Sequence, residues 1–157
     1  VHGSVGETIR RLGGSGLVRE DMEALTAYLT QLRAPDPSRL SAAAIAAYPP
    51  SRVSRGRAIF ESSDAGCSTC HSGAQFTDGM SHNVAGSSNA GPANAGSEHD
   101  AFDTPSLRFV GITAPYFHDG RYPSLRALLL DVDGKMGRTK HLSRDDMDAL
   151  ESYLRTL

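Results

Sequence analysis

The sequence has no tryptophan, only two cysteines, and no apolar run long enough to cross a membrane. Aromatic residues make up 6% and hydrophobic residues 39% of its 157 positions. That suits one domain, or one domain and a fragment, with a modest core that a buried apolar group would complete. A zinc site draws about four ligands, usually including a second Cys or His pair. Without a third cysteine, that reading of the two thiols fails. No βαβ pattern surrounds them, which excludes a thioredoxin-like dithiol. A net charge of −2 argues against nucleic acid or an anionic membrane as partner.

What is present is Cys67-Ser68-Thr69-Cys70-His71. This is C-x-x-C-H, the attachment sequence of a c-type haem. The two-residue gap lets both thiols meet one edge of the macrocycle and become thioethers. His71 then supplies the proximal imidazole. One covalent haem c is therefore the expected cofactor. Such haems are attached outside the cytoplasmic membrane, and no secretory leader is visible. The expectation is a bacterial protein, periplasmic or otherwise exported, of which this chain is a piece or a processed form.

The chain also repeats itself. Residues 22–32, MEALTAYLTQL, match residues 147–157, MDALESYLRTL, at six of eleven positions and an offset of 125. Apolar residues at 22, 25, 29 and 32 form one helical face. Gly3 to Ile9 loosely echoes Gly120 to Arg126. Repetition of this kind points to tandem units of one fold. No C-x-x-C-H precedes residue 35, so residues 1–35 read as the helical end of a preceding repeat. Residues 36–50 read as a linker, marked by Pro35 and Pro37 and holding a short Ala-rich helix at Ser41–Tyr48. Residues 51–157 read as a mono-haem unit. Its opening helix, 51–61, carries Gly56 and Phe60 four apart on one face. The expected class is all-α. Crossing of first and last helices, with Gly56 at the contact and Phe60 against Tyr153, resembles class I cytochromes c. Residues 72–103 read as loop, with a mobile tip at 86–97.

Three strings carry a wider resemblance: Cys70-His71-Ser72-Gly73 with Phe76-Thr77-Asp78, then His82-Asn83-Val84, then Asp103-Thr104-Pro105-Ser106-Leu107-Arg108 running to Thr113-Ala114-Pro115-Tyr116-Phe117-His118-Asp119-Gly120. Together they resemble the bacterial di-haem cytochrome c peroxidase and MauG family, over residues 51–157. The resemblance implies two all-α haem domains. Peroxide reacts at the N-terminal haem, and the C-terminal haem relays electrons with Met or Tyr as second axial ligand. This chain resembles the C-terminal half. Two departures stand out. The family's distal position falls near Val132, which cannot bind iron, and the Trp between the family's haems has no counterpart here. The resemblance also implies that carbonyls at Thr113 and Pro115 help bind calcium between two domains, a site complete only in a longer protein.

Candidates for the sixth ligand are Met80, His82, His99, His118, Met136 and His141. Met136 is preferred. It lies in a Gly-flanked loop seven residues before Ser143, a plausible N-cap of the last helix with Asp146 as acidic partner. A thioether gains little from such a loop unless it binds something. His141 is the runner-up. Met22 and Met147 read as core. Arg108 is the candidate propionate partner, and Phe60 and Tyr116 are the candidate haem-contacting aromatics. A His71/Met136 iron suits one-electron transfer with a redox partner protein or a second haem domain. The alternative is a catalytic peroxidase or oxygenase haem with a displaceable sixth position, served by His82 or Glu98. A third reading is a docking module with a structural haem.

Overall fold

The computed structural model describes residues 13–14, 16–32, 46–84 and 101–157. The chain divides into two compact units, Val1–Asp36 and Pro37–Leu157. The echo at Gly3–Ile9, the loop tip at 86–97, Glu98 and His99, and residues 41–45 of the Ala-rich stretch lie outside the described residues.

The first unit contributes helix α1, Arg19–Gln31. Glu20 and Asp21 in its first turn complement the helix dipole. Arg19 pairs with Glu23 one turn on, at 3.0 Å, an exposed contact worth little. No residue of α1 is buried.

The second unit opens with α2, Pro50–Glu61, whose proline stands at the first helical position where its missing N–H costs nothing. A 3₁₀ turn follows at Cys67–Thr69. Helix α3, Leu125–Asp131, starts where Ser124 Oγ accepts from Ala127 N. Helix α4, Arg144–Leu154, starts where Ser143 Oγ accepts from Asp146 N at 3.1 Å and donates to that residue's carboxylate at 2.7 Å. The expected cap is therefore present.

The helical expectation holds in its main part, with a small sheet added. The chain is mostly helical, but strands β1, Ser81–Asn83, and β2, Ala101–Asp103, pair antiparallel within the stretch read as loop. His82 stands opposite Phe102. Strands of three residues fall below the four-to-eight-residue runs that give an alternating signal. Thr104 N donates to Met80 O at 2.9 Å and continues the pairing. Helix α3 also has no counterpart in the sequence reading, because seven residues are too few for a clear 3.6-residue period.

The principal packing is α2 against α4. Gly56 is buried there. A Cβ at position 56 would lie 1.9 Å from the Ala149 carbonyl oxygen and 2.8 Å from Tyr153 Cβ, so only glycine permits this approach. One turn along, the rings of Phe60 and Tyr153 meet at 5.4 Å, and Arg55 reaches Asp146 at 2.6 Å across the same crossing. Leu150, with no exposed surface, and Leu125 lie at the centre of the core. Gly56→Ala is expected to destabilise the unit by about 1–3 kcal/mol through overpacking. Urea unfolding followed by circular dichroism would show this as a lower midpoint with an unchanged slope.

Candidate haem site

The turn at Cys67–Thr69 sets the two sulfurs and the imidazole. Gly66, at φ 72°, allows the chain to double back into it. His71 N donates to Cys67 O at 3.1 Å, which closes the turn beneath the motif. Cys67 is buried and Cys70 half-buried, and both are free thiols. Burial pushes both thiols upward in pKa, with Asp78 adding to the effect at Cys70. A protonated thiol disfavours thiolate metal binding.

His71 is held from the other side. Its Nδ1 lies 3.1 Å from the Phe76 carbonyl oxygen. A carbonyl can only accept, so Nδ1 carries the hydrogen and Nε2 keeps its lone pair. Burial pushes the His71 pKa down, opposed by the Phe76 and Pro105 carbonyls. The imidazole is thus neutral near pH 7, in the tautomer an axial ligand needs. Phe76 itself sits at φ 52°, a left-handed conformation rare for a bulky residue.

The Met136 loop is fastened onto this turn. Arg138 N donates to Ala65 O at 2.8 Å, and its guanidinium donates to Asp64 O at 2.9 Å and Ser63 O at 2.5 Å. Gly137, at φ 148°, lies so close that an added Cβ would stand 2.9 Å from Ala65 O and 3.4 Å from Cys67 Sγ. Asp133 ties the base of the loop. Its Oδ1 accepts from Thr139 N at 2.7 Å and Lys140 N at 2.9 Å, and these amides hold its carboxyl below the usual range.

Between these elements lies a cavity of about 1050 Å³, at the upper end of the ~300–1,000 Å³ common for small-molecule sites. Cys67, Cys70, His71 and Met136 all line it, as do Phe60 and Tyr116. Leu125, Leu129, Leu150 and Leu154 supply apolar wall. Tyr116 is fixed by its hydroxyl, which donates to Val110 O at 2.8 Å, and by a backbone bridge to Tyr122. Val132, the position unable to bind iron, is buried and also lines the cavity. The donor set fits a c-type haem: two thiols, a neutral imidazole with one free nitrogen, a thioether, and a large apolar space.

Arg108 is not brought to this cavity. It is exposed, with a guanidinium nitrogen 3.5 Å from Gln75 Oε1. The cations among the lining residues are Lys135 and Arg138. Sequence reasoning missed Arg138, whose adjacency to the Gly134-to-Gly137 loop was the available signal. Of the other sixth-ligand candidates, His82 and His118 line the cavity, whereas Met80 and His141 do not. Met80 is 60% exposed. His82 Nε2 is engaged with Asp78 Oδ2 at 2.7 Å, beside Cys70 and near enough for its charge to act on His71. His118 stacks on Phe102, with centroids 4.1 Å apart and planes 9° from parallel. Thr113 and Pro115 line the cavity too, but among the described residues Cys70, Asp78 and His82 are the metal-ligating cluster found.

No family model matches the chain. Two methylamine utilization proteins MauG do match, from Methylorubrum extorquens (39% identical over 82 residues, 48% of this chain) and Methylophilus methylotrophus (33% over 98 residues, 58%). The chain is related to the MauG proteins. Hydrazine synthase subunit gamma of Kuenenia stuttgartiensis is also similar, at 30% over 141 residues and 66% of the chain. The matches span 23%, 29% and 40% of these relatives' own lengths, so the chain corresponds to less than half of each. Among solved structures, a chain of Kuenenia stuttgartiensis hydrazine synthase pressurised with xenon superposes with a TM-score of 0.65 and 26% identity, over 90% of this chain and 56% of that one. A MauG-like protein associated with microbial copper homeostasis superposes at 0.55 and 21% identity, over 71% and 48%, a likeness of fold. The fold of the MauG-related chain is thus shared with both. No helix among its described residues is long and apolar enough to cross a membrane.

Asp78 ties β1 to the haem motif's side of the cavity. Its carboxylate accepts from Met80 N at 2.9 Å and from His82, which together hold its pKa at about 2. A carboxylate depressed in the folded state stabilises the fold above its unfolded value of about 4 and loses that contribution as pH falls towards 2. The urea midpoint is therefore expected to drop between pH 5 and 2.5, and to drop less in Asp78→Asn. Identical pH profiles for the two proteins would refute the assignment.

Proposed function

We propose that residues 51–157 carry one covalent c-type haem and work in one-electron transfer. The observation that supports this most is the convergence of Cys67, Cys70, His71 and Met136 on one apolar cavity. Cys67 and Cys70 would hold the haem through thioethers, and His71 Nε2 and Met136 Sδ would hold its iron. The bound haem supplies reversible one-electron chemistry at its iron.

The protein's own residues set the conditions for that chemistry. The Phe76 carbonyl holds the His71 tautomer, so no proton need leave the ring for it to ligate. Gly137 and Arg138 keep the Met136 loop against Cys67, which favours a sulfur ligand that stays in place. The leucines supply an apolar wall, and an apolar setting with Met ligation would raise the potential. His118 in the cavity wall is the observation that favours the second reading, a peroxidase- or oxygenase-like haem with a displaceable sixth position. Its stacking on Phe102 weighs towards a structural role.

The role extends to the setting. We read the chain as part of an exported, periplasmic protein, with a redox partner or a second haem domain as its electron source or acceptor. Residues 1–35 are read as the end of a preceding repeat. Calcium at Thr113 and Pro115 is reserved for a longer protein.

The haem-loaded chain is expected to be six-coordinate and low-spin in its ferric state, with the weak red band of a sulfur–iron bond. Met136→Ala should abolish that band and lower the midpoint potential by on the order of 0.1 V, axial ligands moving haem potentials over about 0.8 V. An unchanged ferric spectrum would remove Met136 from the iron. Replacing Cys67 and Cys70 together by Ala should release the haem on a denaturing gel stained for peroxidase activity.

A further inference from the structure

Cys70, Asp78 and His82 meet beside the cavity, and the proposed haem chemistry uses only the first of them. Each offers one donor atom, and the three donors lie within 4.8 Å of one another. Cys70 closes the 3₁₀ turn of the haem motif, His82 stands on β1, and Asp78 lies in the segment leading to that strand. Asp78 Oδ1 accepts from Met80 N at 2.9 Å, which leaves Oδ2 for His82 Nε2 at 2.7 Å. Pairing with β2 holds His82, and Thr77 Oγ1 donates to Thr104 O at 2.6 Å, so the residue before Asp78 is tied to the segment following β2. The side chains of Asp78 and His82 are 16% and 35% exposed, screened but within reach of a small ion.

A thiolate, an imidazole and a carboxylate are donors that zinc takes, and three protein ligands with a water in the fourth position make an open zinc site. Tetrahedral zinc, about 2.0–2.3 Å from its donors, sets them roughly 3.3–3.8 Å apart. That spacing falls within the bound on the three donors here. Asp78 and His82 need to part by only about 0.6 Å for an ion to take the place of the hydrogen between them. Burial and Asp78 both oppose a bare thiolate at Cys70. A dication answers the carboxylate, and a coordinating thiol gives up its proton outright. The proton passes to solvent and no electron moves. Cys67 is outside the cluster, so the site uses one thiol with two other donors rather than a pair of thiols.

We propose that, before haem is attached, Cys70, Asp78 and His82 hold one zinc-type divalent cation, which masks the Cys70 thiol. Attachment turns Cys70 Sγ into a thioether and removes the charged donor, so the cation and covalent haem exclude each other. The exclusion rests on the proposed attachment at Cys70, whereas the metal site rests on the cluster alone.

The test titrates zinc into the full chain before haem loading, against a chromophoric chelator. One equivalent is expected to bind. Its affinity should fall at least tenfold in each of Cys70→Ser, Asp78→Asn and His82→Gln, and stay unchanged in His141→Gln. Bound zinc should slow maleimide labelling of Cys70, read by peptide mass, at least tenfold, and a strong chelator should restore the rate. Absent binding would overturn the site. So would binding that falls as far in Cys67→Ser as in Asp78→Asn, which would assign the ion to the two thiols. Equal affinity in the haem-loaded chain would overturn the exclusion. Failure of haem to attach at all would count against the haem reading, and the zinc titration would still decide the metal site.

Discussion

At the α2–α4 crossing two backbones share space that a single methyl group would fill. Gly56 lies against the Ala149 carbonyl, and everything that shapes the cavity is placed relative to that contact. The approach seats Phe60 on Tyr153 and aligns the start of α4 through Arg55 and Asp146. Once α4 is fixed, the segment feeding its N-cap must pass over the Cys67 turn. There Gly137 and Arg138 fasten it to residues 63–65. The Met136 loop and the Cys67 turn are thus joined both by the helix crossing and by these hydrogen bonds.

The electrostatics of the cavity follow one rule. Two carboxylates near the cavity are answered by backbone amides. Asp133 and Asp78 sit on N–H groups, and Asp78 also pairs with His82. His71, which burial keeps neutral, contributes a donor to Phe76 and leaves a lone pair free. An uncharged ligand in an apolar wall avoids the desolvation cost that a buried cation would carry. This arrangement suits a macrocycle with one iron.

Likeness to the MauG proteins covers 48% and 58% of the chain and likeness to a hydrazine synthase chain covers 90%, under two different names. Such a scaffold can serve several functions, and residues around the iron decide which. In this chain the position where the resemblance expects a distal ligand is Val132, buried at the end of α3. Met136 stands one turn further along, in a loop whose glycines permit it to close over the cavity.

Much of this was legible in the residues. The proposal for Cys67, Cys70 and His71 starts from their spacing alone, because covalent attachment of a haem needs two thiols and an imidazole at one fixed spacing. The pairing of Gly56 with the last helix was readable because glycine inside a helix is costly unless a close approach needs it. The Ser143 cap was readable because capping is local. The strands at Ser81–Asn83 and Ala101–Asp103 were not, since their partners are twenty residues apart and each strand is too short to show alternation. Arg108 and Arg138 carry the same charge and differ only in where the chain takes them, so the sequence could not say which one reaches the cavity. Local chemistry is written in neighbouring residues. Which distant groups share one space is decided by helix crossings and loop closure, and those exist only once the chain has folded.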